Sequence, residues 1–328
     1  MTIAHHLIGV DENGLGPRLG PMLVTAVLAR ASDEGRLVAA RKPRGGLRQR
    51  LGDSKALMAH GDIGLGEAWA RVLVARGAGK HKRCDTPDDV VHSIALQDHA
   101  ELTAPCPQHV APQCWSSAGE LFLPDEDGRG TKLRKQLHRD LDRLARRGLE
   151  VVQVRSAVVC TRRLNDALLE GHSRFAVDLH CMERLILDMR ASCGAEVDAV
   201  CGKVGGYGVY GKAFGPLAGR LHLVLEEGRA RSAYRFPGIG NIAFVRDSDG
   251  SHLLVGLASL VGKYLRELLM GRIVRHYQRL DGSVPMASGY HDPVTRKFVL
   301  ATEALRRQKR IPAACFERNS RGGNKSLH

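Results

Sequence analysis

The stretch Gly-Val-Asp-Glu-Asn-Gly-Leu-Gly-Pro-Arg-Leu-Gly-Pro, residues 9–21, places two acidic residues side by side at the end of an apolar run. Residues 7–10 predict a short buried strand, and residues 22–28 predict a second strand after the turn. A carboxylate beside a buried strand costs free energy unless it has a partner or a metal ion. Asp11 and Glu12 therefore have two interpretations: they belong to a polar hairpin turn, or they bind a cation.

The composition is that of a soluble globular protein with a sizeable core. Of the 328 residues, 43% are hydrophobic and 26% are charged, which excludes a disordered chain. Lys and Arg number 49 against 35 Asp and Glu, giving a net charge of +14. This excess favours a polyanionic partner, nucleic acid before an anionic membrane, over a basic surface kept only for solubility.

Several features of the sequence bear on the cellular compartment of the protein. The first residues, M-T-I-A-H-H-L-I-G-V, lack the basic region and cleavage site of a signal peptide, and no run of 18 apolar residues occurs. The eight cysteines are widely spaced, which predicts reduced thiols. We therefore expect a cytoplasmic protein without a membrane partner, and we expect it to be a monomer.

The elements predicted along the chain alternate after an initial hairpin. Residues 77–130 are rich in Pro, Gly and polar residues, which predicts an irregular insertion of unknown role between the two parts of one domain, 1–76 and 131–328. Hydrophobic spacing predicts a hairpin over 5–30, strands at 151–159, 197–201, 221–225 and 242–245, and helices ending at 76 and over 131–147, 162–189, 252–277 and 293–308. This order predicts an α/β fold, a mixed β-sheet flanked by helices.

Five stretches resemble motifs of one family. Residues 9–21 are similar to D-E-x-G-R-G-P-x-x-G-P, the first motif of the type 2 ribonuclease H family (ribonuclease HII). Four further stretches resemble the later motifs in the family's order: L-G-D-S-K-A-L at 51–57, R-L-N-D-A-L-L-E at 163–170, A-S-L-V-G-K-Y-L-R-E at 258–267 and S-G-Y-H-D-P-V-T-R-K-F at 288–298. The resemblance covers most of the chain outside residues 77–130 and implies a ribonuclease H-like fold.

The resemblance also implies an activity. Members hydrolyse the RNA strand of RNA–DNA hybrids or cut at ribonucleotides in duplex DNA, using four carboxylates and two divalent ions, Mg²⁺ or Mn²⁺. Hard cations held by carboxylates can stabilise the charge on the attacking water and on the leaving oxygen. Carried over motif by motif, the expected catalytic residues and metal ligands are Asp11, Glu12 and Glu267, and their carboxylates should converge.

The third carboxylate of the family aligns with Gly202, which has no side chain to bind a metal. Asp198 lies four residues earlier, about 13 Å back along an extended strand. Asp247 and Asp249 lie nearer in sequence to the helix that carries the fourth carboxylate. These three residues are possible substitutes. Two hypotheses stay open: a nuclease with a rearranged carboxylate set, and a catalytically impaired nucleic-acid-binding protein on the same fold.

Further residues are expected to bind the substrate because they lie in the matching motifs. They are Asn13, Gly14, Leu15, Gly16, Ser54, Lys55, Ser259, Lys263 and Arg266. The basic members would face phosphates, and the hydroxyls are of the kind that bind backbone oxygens. Leu15 stands where the family carries the Arg of its G-R-G triplet, and no tyrosine follows Tyr290. In the family, the triplet contacts the ribonucleotide at an RNA–DNA junction and the late tyrosine senses the 2′-hydroxyl, so the resemblance does not extend to junction specificity.

Overall fold

The computed structural model describes residues 5–58, 62–105, 114–203 and 207–319. Its strands are β1 (His5–Asn13), β2 (Met22–Ala31), β3 (Leu149–Val159), β4 (Val197–Gly202), β5 (Leu223–Glu227), β6 (Arg231–Phe236) and β7 (Gly240–Val245). They form one sheet in the order β3-β2-β1-β4-β7-β6-β5. β1, β2 and β3 are successively antiparallel, whereas β1 is parallel to β4 and β4 to β7. The predicted mixed α/β sheet is confirmed, and β6 is a strand that the sequence pattern missed.

Helices flank the sheet. They are α1 (Asp33–Ala39), α2 (Ser54–Leu57), α3 (Gly64–Ala75), α4 (Pro87–Ile94), α5 (His99–Thr103), α6 (Arg129–Arg146), α7 (Thr161–Leu169), α8 (Arg174–Cys193), α9 (Leu253–Leu280), α10 (Pro293–Ala301), α11 (Glu303–Gln308) and α12 (Ala313–Phe316). Ser173 caps α8 by accepting from the Ala176 N–H, which separates α7 from α8. No helix in the described part of the chain is both long and apolar enough to cross a membrane.

The core consists of two apolar clusters, one on each face of the sheet. One joins Leu7 of β1 to α9, α3 and α6, and the other joins Ile8 and Val10 to α8. Successive side chains of a strand point to opposite faces, so this alternation continues to the end of β1. Asp11 therefore faces α9, and Glu12 faces α8.

The described part of residues 77–130 is more regular than its composition predicts. It contains α4 and α5, and the predicted irregular segment includes residues 106–113, which lie outside the described residues. Trp115 is buried in the α9-side cluster. The buried Arg272 of α9 pairs with Glu120 at 2.6 Å. These contacts tie the described part of the insertion to the main sheet and its helices.

Candidate active site

A cavity of about 250 Å³ lies at the end of β1. Residues distant in sequence meet there because the carboxyl ends of the parallel strands β1 and β4 lie at one edge of the sheet. The lining comprises Asp11, Glu12, Asn13, Leu15, Ser54, Lys55, Gly202, Lys203, Asp247, Ser248, Asp249 and Ser259. The structure thus brings together residues from the first, second and fourth motifs.

Asp11 faces this cavity on the α9 side of the sheet. Its carboxylate accepts a hydrogen bond from Ser259, whose Oγ lies 2.9 Å from Ser54 Oγ. Close packing of protein raises the pKa of Asp11 well above its usual range, although the side chain keeps part of its surface open to the cavity. The Ser259 hydrogen bond opposes this rise, and the charge of Asp249 adds to it. A cation beside this carboxylate would relieve the cost of ionising it.

Glu12 has a different set of partners. The backbone N–H of Leu15 donates to its carboxylate. Burial raises the pKa of Glu12 to about 7, while the Leu15 hydrogen bond and then the charges of Arg318 and Lys55 act in the opposite direction. The local turn and two cations therefore favour the ionised form of a carboxylate that burial disfavours.

Asp178 of α8 is a further acidic residue near the site, and the sequence motifs do not mark it. Its side chain is fully buried, and neither oxygen has a hydrogen-bond partner in the described part of the chain. Burial, followed by the charges of Glu12 and Asp11, raises the pKa of Asp178 well above its usual range. The sequence could have indicated its burial only through helical spacing, because position 178 falls on the apolar stripe of α8 between Phe175 and Met182.

Gly202 lies beside Asp11 at the same end of the sheet. The parallel pairing of β1 and β4 sets Val10 opposite Cys201, so the next residues of both strands are neighbours. A Cβ atom built at Gly202 would lie 2.7 Å from Asp11 Oδ1. This distance is shorter than real Cβ contacts allow, so a side chain at position 202 would require the Asp11 carboxylate to shift, and the glycine supplies no ligand there.

The structure does not bring Glu267 to this cavity. Glu267 follows Ser259 by two helical turns, about 12 Å along α9. Its carboxylate accepts a hydrogen bond from the Arg266 guanidinium, and it lines a separate cavity that also contains Glu120. The expected convergence of Asp11, Glu12 and Glu267 is thus not observed, because the rise of the helix carries position 267 past the strand end.

The three possible substitute carboxylates have different positions. Asp198 pairs with Leu7 at the far end of β1 and accepts a hydrogen bond from Asn241 Nδ2 at 2.7 Å. Asp247 borders the cavity, but its side chain is 90% exposed. Asp249 lines the cavity, is half-buried, and acts electrostatically on Asp11. Burial, followed by the charge of Asp53, raises the pKa of Asp249.

Of the two lysines expected to bind phosphate, one lines the cavity and the other is engaged within the protein. Lys55 is exposed at the cavity, where Asp53 caps its short helix by accepting from the Lys55 N–H at 2.8 Å. Lys263 lies one turn beyond Ser259, and its ammonium donates to the carbonyl oxygens of Ser54, at 3.2 Å, and Met58. Lys263 therefore holds the segment that carries Lys55.

Arg266 is also engaged within the protein. Its side chain is almost fully buried and donates to Glu267 and, at 2.9 Å, to the Ser288 carbonyl. Its guanidinium carbon lies 4.2 Å from the centre of the Tyr290 ring. Arg266 thus connects α9 to the loop of the fifth motif.

The turn after β1 supplies the other expected substrate-binding residues. Asn13 and Leu15 line the cavity, and Asn13 Oδ1 is buried with no hydrogen-bond partner among the described residues. Gly14 adopts a φ of +99°, which favours glycine, and Gly16 is exposed next to open space. A substrate could therefore approach the backbone closely at Gly16.

The donors in the cavity suit a hard cation. No three His, Cys, Asp or Glu side chains form a metal-binding group within the described ranges of the chain. Asp11, Glu12 and Asp249 nevertheless offer only oxygen donors, which Mg²⁺ and Mn²⁺ prefer. Mg²⁺ is commonly held by one or two carboxylates and completes its shell with water and substrate phosphates. The residues thus fit an ion that is shared with a phosphate-bearing ligand.

Comparison with known proteins gives weak similarities to ribonucleases. No protein-family model matches the sequence, and no curated protein matches it. The ribonuclease HII of Archaeoglobus fulgidus, solved in complex with PCNA, is 15% identical, with a TM-score of 0.41 over 94% of this chain and 90% of that chain. RNase H3 of Aquifex aeolicus is 12% identical, with a TM-score of 0.40 over 95% and 70%. Ribonuclease H2 of Pyrococcus horikoshii is 14% identical, with a TM-score of 0.36 over 95% and 92%. Similarity at this level does not establish a function.

Proposed function

We propose that the protein is a divalent-metal-dependent endoribonuclease that hydrolyses the RNA strand of RNA–DNA hybrids or cleaves at ribonucleotides in duplex DNA. The observation that carries the proposal is the cavity at the end of β1, where Asp11, Glu12 and Asp249 lie with the exposed Lys55. Acidic groups that hold cations and a basic group that binds phosphate are the parts that phosphodiester hydrolysis needs. The five motifs in the family's order support the same assignment.

Each residue has a role in this proposal. Asp11, Glu12 and Asp249 would hold Mg²⁺ or Mn²⁺, which when bound stabilises the charge of the phosphate and lowers the pKa of water. Ser259 orients the Asp11 carboxylate, and the turn after β1 orients Glu12. Lys55 binds a phosphate oxygen at the mouth of the cavity. The family resemblance implies two ions, and the ligand missing at position 202 affects one of them.

A second candidate function is a catalytically impaired protein that binds the same nucleic acids. Gly202 favours it, because position 202, next to Asp11 Oδ1, carries no side chain that could bind a metal ion. The net charge of +14 supports nucleic-acid binding in either case. Cys84, Cys160, Cys181, Cys193 and Cys201 form no disulfide, and reduced thiols support a proposed cytoplasmic location.

Cleavage assays on two substrates separate the candidates. We would incubate the wild type, Asp11→Asn and Gly202→Asp with a labelled RNA–DNA hybrid and with duplex DNA containing one ribonucleotide, in Mg²⁺ and in Mn²⁺. Wild-type cleavage that is lost in Asp11→Asn supports an enzyme that works without the third carboxylate. Cleavage only by Gly202→Asp supports the impaired binding protein. Neither cleavage nor binding by any of the three proteins rejects both candidates.

A further inference from the structure

Asn165, in the third motif, has a role away from the cavity. It is fully buried on α7, and its side-chain amide donates to the carbonyl oxygens of Ala314, at 2.9 Å, and Glu317, at 2.8 Å. Its side-chain oxygen accepts from the Asn319 N–H at 2.8 Å. These three hydrogen bonds fix residues 313–319, which we call the C-terminal segment.

The C-terminal segment runs beside the turn that follows Glu12, residues 14–20, which we call the glycine loop. Leu19 and Glu317 form an antiparallel bridge. The Arg318 N–H donates to the Arg18 carbonyl at 3.0 Å, and Arg18 Nε donates to Glu317 Oε1 at 2.5 Å. Backbone and side-chain contacts thus join the C-terminal segment to the glycine loop.

Arg318 places its guanidinium inside the glycine loop. The residue is 4% exposed, and its side chain donates to the carbonyl oxygens of Gly20, at 2.6 and 3.0 Å, Leu15, at 3.4 Å, and Gly14. Gly14 and Gly20 have φ values of +99° and +83°, so the backbone turns back at both ends of the loop. Because Nε and both terminal nitrogens are engaged with these carbonyls, the guanidinium acts on the loop rather than on a substrate.

The same contacts lead to Glu12. Leu15 donates its N–H to the Glu12 carboxylate and offers its carbonyl oxygen to Arg318, so the peptide groups on both sides of Leu15 are held. Burial, followed by the charges of Arg174 and Arg266, lowers the pKa of Arg318 to about 9, and the charge of Glu12 opposes this fall. Without Glu12, a guanidinium in this position would be costly to bury.

We propose that Arg318 is a positioning residue of the active site, which fixes the glycine loop so that the Leu15 N–H holds the Glu12 carboxylate. In this proposal the C-terminal segment orders a turn in which Leu15 replaces the arginine of the family's triplet. The effect on the loop depends only on the contacts described above. The expected effect on cleavage rests on the proposed function.

Hydrogen–deuterium exchange tests the effect on the loop. Arg318→Met should speed exchange of the Leu15 amide at least about tenfold, because it removes the guanidinium donors from the Gly14, Leu15 and Gly20 carbonyls. Arg307→Met is the matched control, since it removes one positive charge from an 80% exposed side chain near the same end of the chain. Exchange in β2 and β3 should be the same in both variants. Loop exchange in Arg318→Met equal to that of the control, or acceleration spread evenly over the sheet, would overturn the proposal.

Kinetics test the effect on the reaction. Arg318→Met should lower kcat by about 10- to 100-fold, the range expected when the support of a metal-binding carboxylate is lost, and should change KM less than about threefold. Equal kcat in Arg318→Met and the control would also overturn the proposal. If the wild type does not cleave, the proposed function fails, and the exchange measurement alone decides the role of Arg318. If Arg318→Met does not fold, Arg318→Lys decides, because it keeps the charge but replaces three donor nitrogens with one.

Discussion

Asp11 and Glu12 are neighbours in sequence, yet the two faces of the sheet give them opposite environments. On the α9 face, Asp11 accepts from Ser259 and opens into the cavity beside Asp249. On the α8 face, Glu12 lies near Asp178, whose carboxyl group is sealed in the apolar cluster without a hydrogen-bond partner among the described residues. The end of β1 therefore has an accessible acidic cavity on one face of the sheet and a buried acidic group of α8 on the other.

The difference shows how a site can be built at the expense of stability. On the α9 face, Asp11 has a hydrogen bond from the Ser259 hydroxyl and access to the cavity. This environment is compatible with binding and releasing a ligand. The α8 face places an acidic group where ionisation is strongly disfavoured. Proteins commonly tolerate such unfavourable groups close to functional sites. The predictions below test whether the two faces divide function and stability in this way.

The largest effect is expected at Asp249. If the acids that line the cavity form the site, Asp249→Asn should lower cleavage at least roughly 100-fold, because removing a direct ligand should cost no less than removing a residue that supports one. Glu267→Gln is the comparison, and it should change cleavage less than about threefold because Glu267 lines another cavity. Steady-state rates in Mn²⁺ measure both. The reverse ranking would restore Glu267 to the site.

The next effect concerns the stability of the α8 face. The pKa of Asp178 is raised in the folded state, so the folded protein favours the neutral carboxyl group. Its contribution to the free energy of unfolding is therefore fully present below the pKa of an unfolded Asp, near 4, and is lost as the pH rises above that value. Asp178→Asn should therefore match the wild type near pH 4 and exceed it by about 1–3 kcal/mol at pH 8. Urea denaturation across this range measures the difference. A difference that does not change with pH would show that Asp178 does not titrate differently on folding.

A smaller effect on stability is expected at Lys263. Its ammonium binds the Ser54 and Met58 carbonyl oxygens, so Lys263→Met should lower the free energy of unfolding by about 1–2 kcal/mol. Thermal denaturation measures this loss. Unchanged stability together with weaker nucleic-acid binding would assign Lys263 to the substrate instead.

The smallest effect is expected at the exposed Lys55. Lys55→Met should weaken nucleic-acid binding severalfold and reduce the slope of log K against log salt by about 1, since one phosphate contact is lost. Binding to an RNA–DNA hybrid, titrated at several salt concentrations in Ca²⁺ to prevent cleavage, measures this slope. An unchanged slope would remove Lys55 from the nucleic-acid interface.

Local patterns predicted the parts of the site that lie in short continuous stretches. The hairpin, the acidic pair at its end, and the Ser54, Lys55 and Ser259 residues in one cavity all follow signals within a few residues. The capping box at Thr86 and Asp89, which begins α4, was also present in the sequence, but the Pro-rich composition around it obscured the helix.

The remaining parts depend on tertiary packing. Asp249 lies just before α9 and lines the cavity at the end of β1. The rise of α9 places Glu267 beyond this cavity, in another one. The order of the motifs in the sequence does not distinguish the two positions. Asp178 lies near the site because α8 packs against β1. In the sequence, its position cannot be distinguished from that of any core residue of the helix. Arg318 reaches the glycine loop from the other end of the chain.

That last contact has a consequence for how the protein is made. Gly20 and Arg318 are separated by 298 residues, so the loop emerges from a ribosome long before its donor. At roughly 5–20 residues per second, the interval is about 15–60 s. During this time the nascent chain can form the β1–β2 hairpin, but the turn at its tip lacks the hydrogen bonds that Arg318 donates. If Arg318 positions the glycine loop as proposed, nascent chains would complete this loop only after Arg318 has been added and has docked, long after the acidic pair is synthesised.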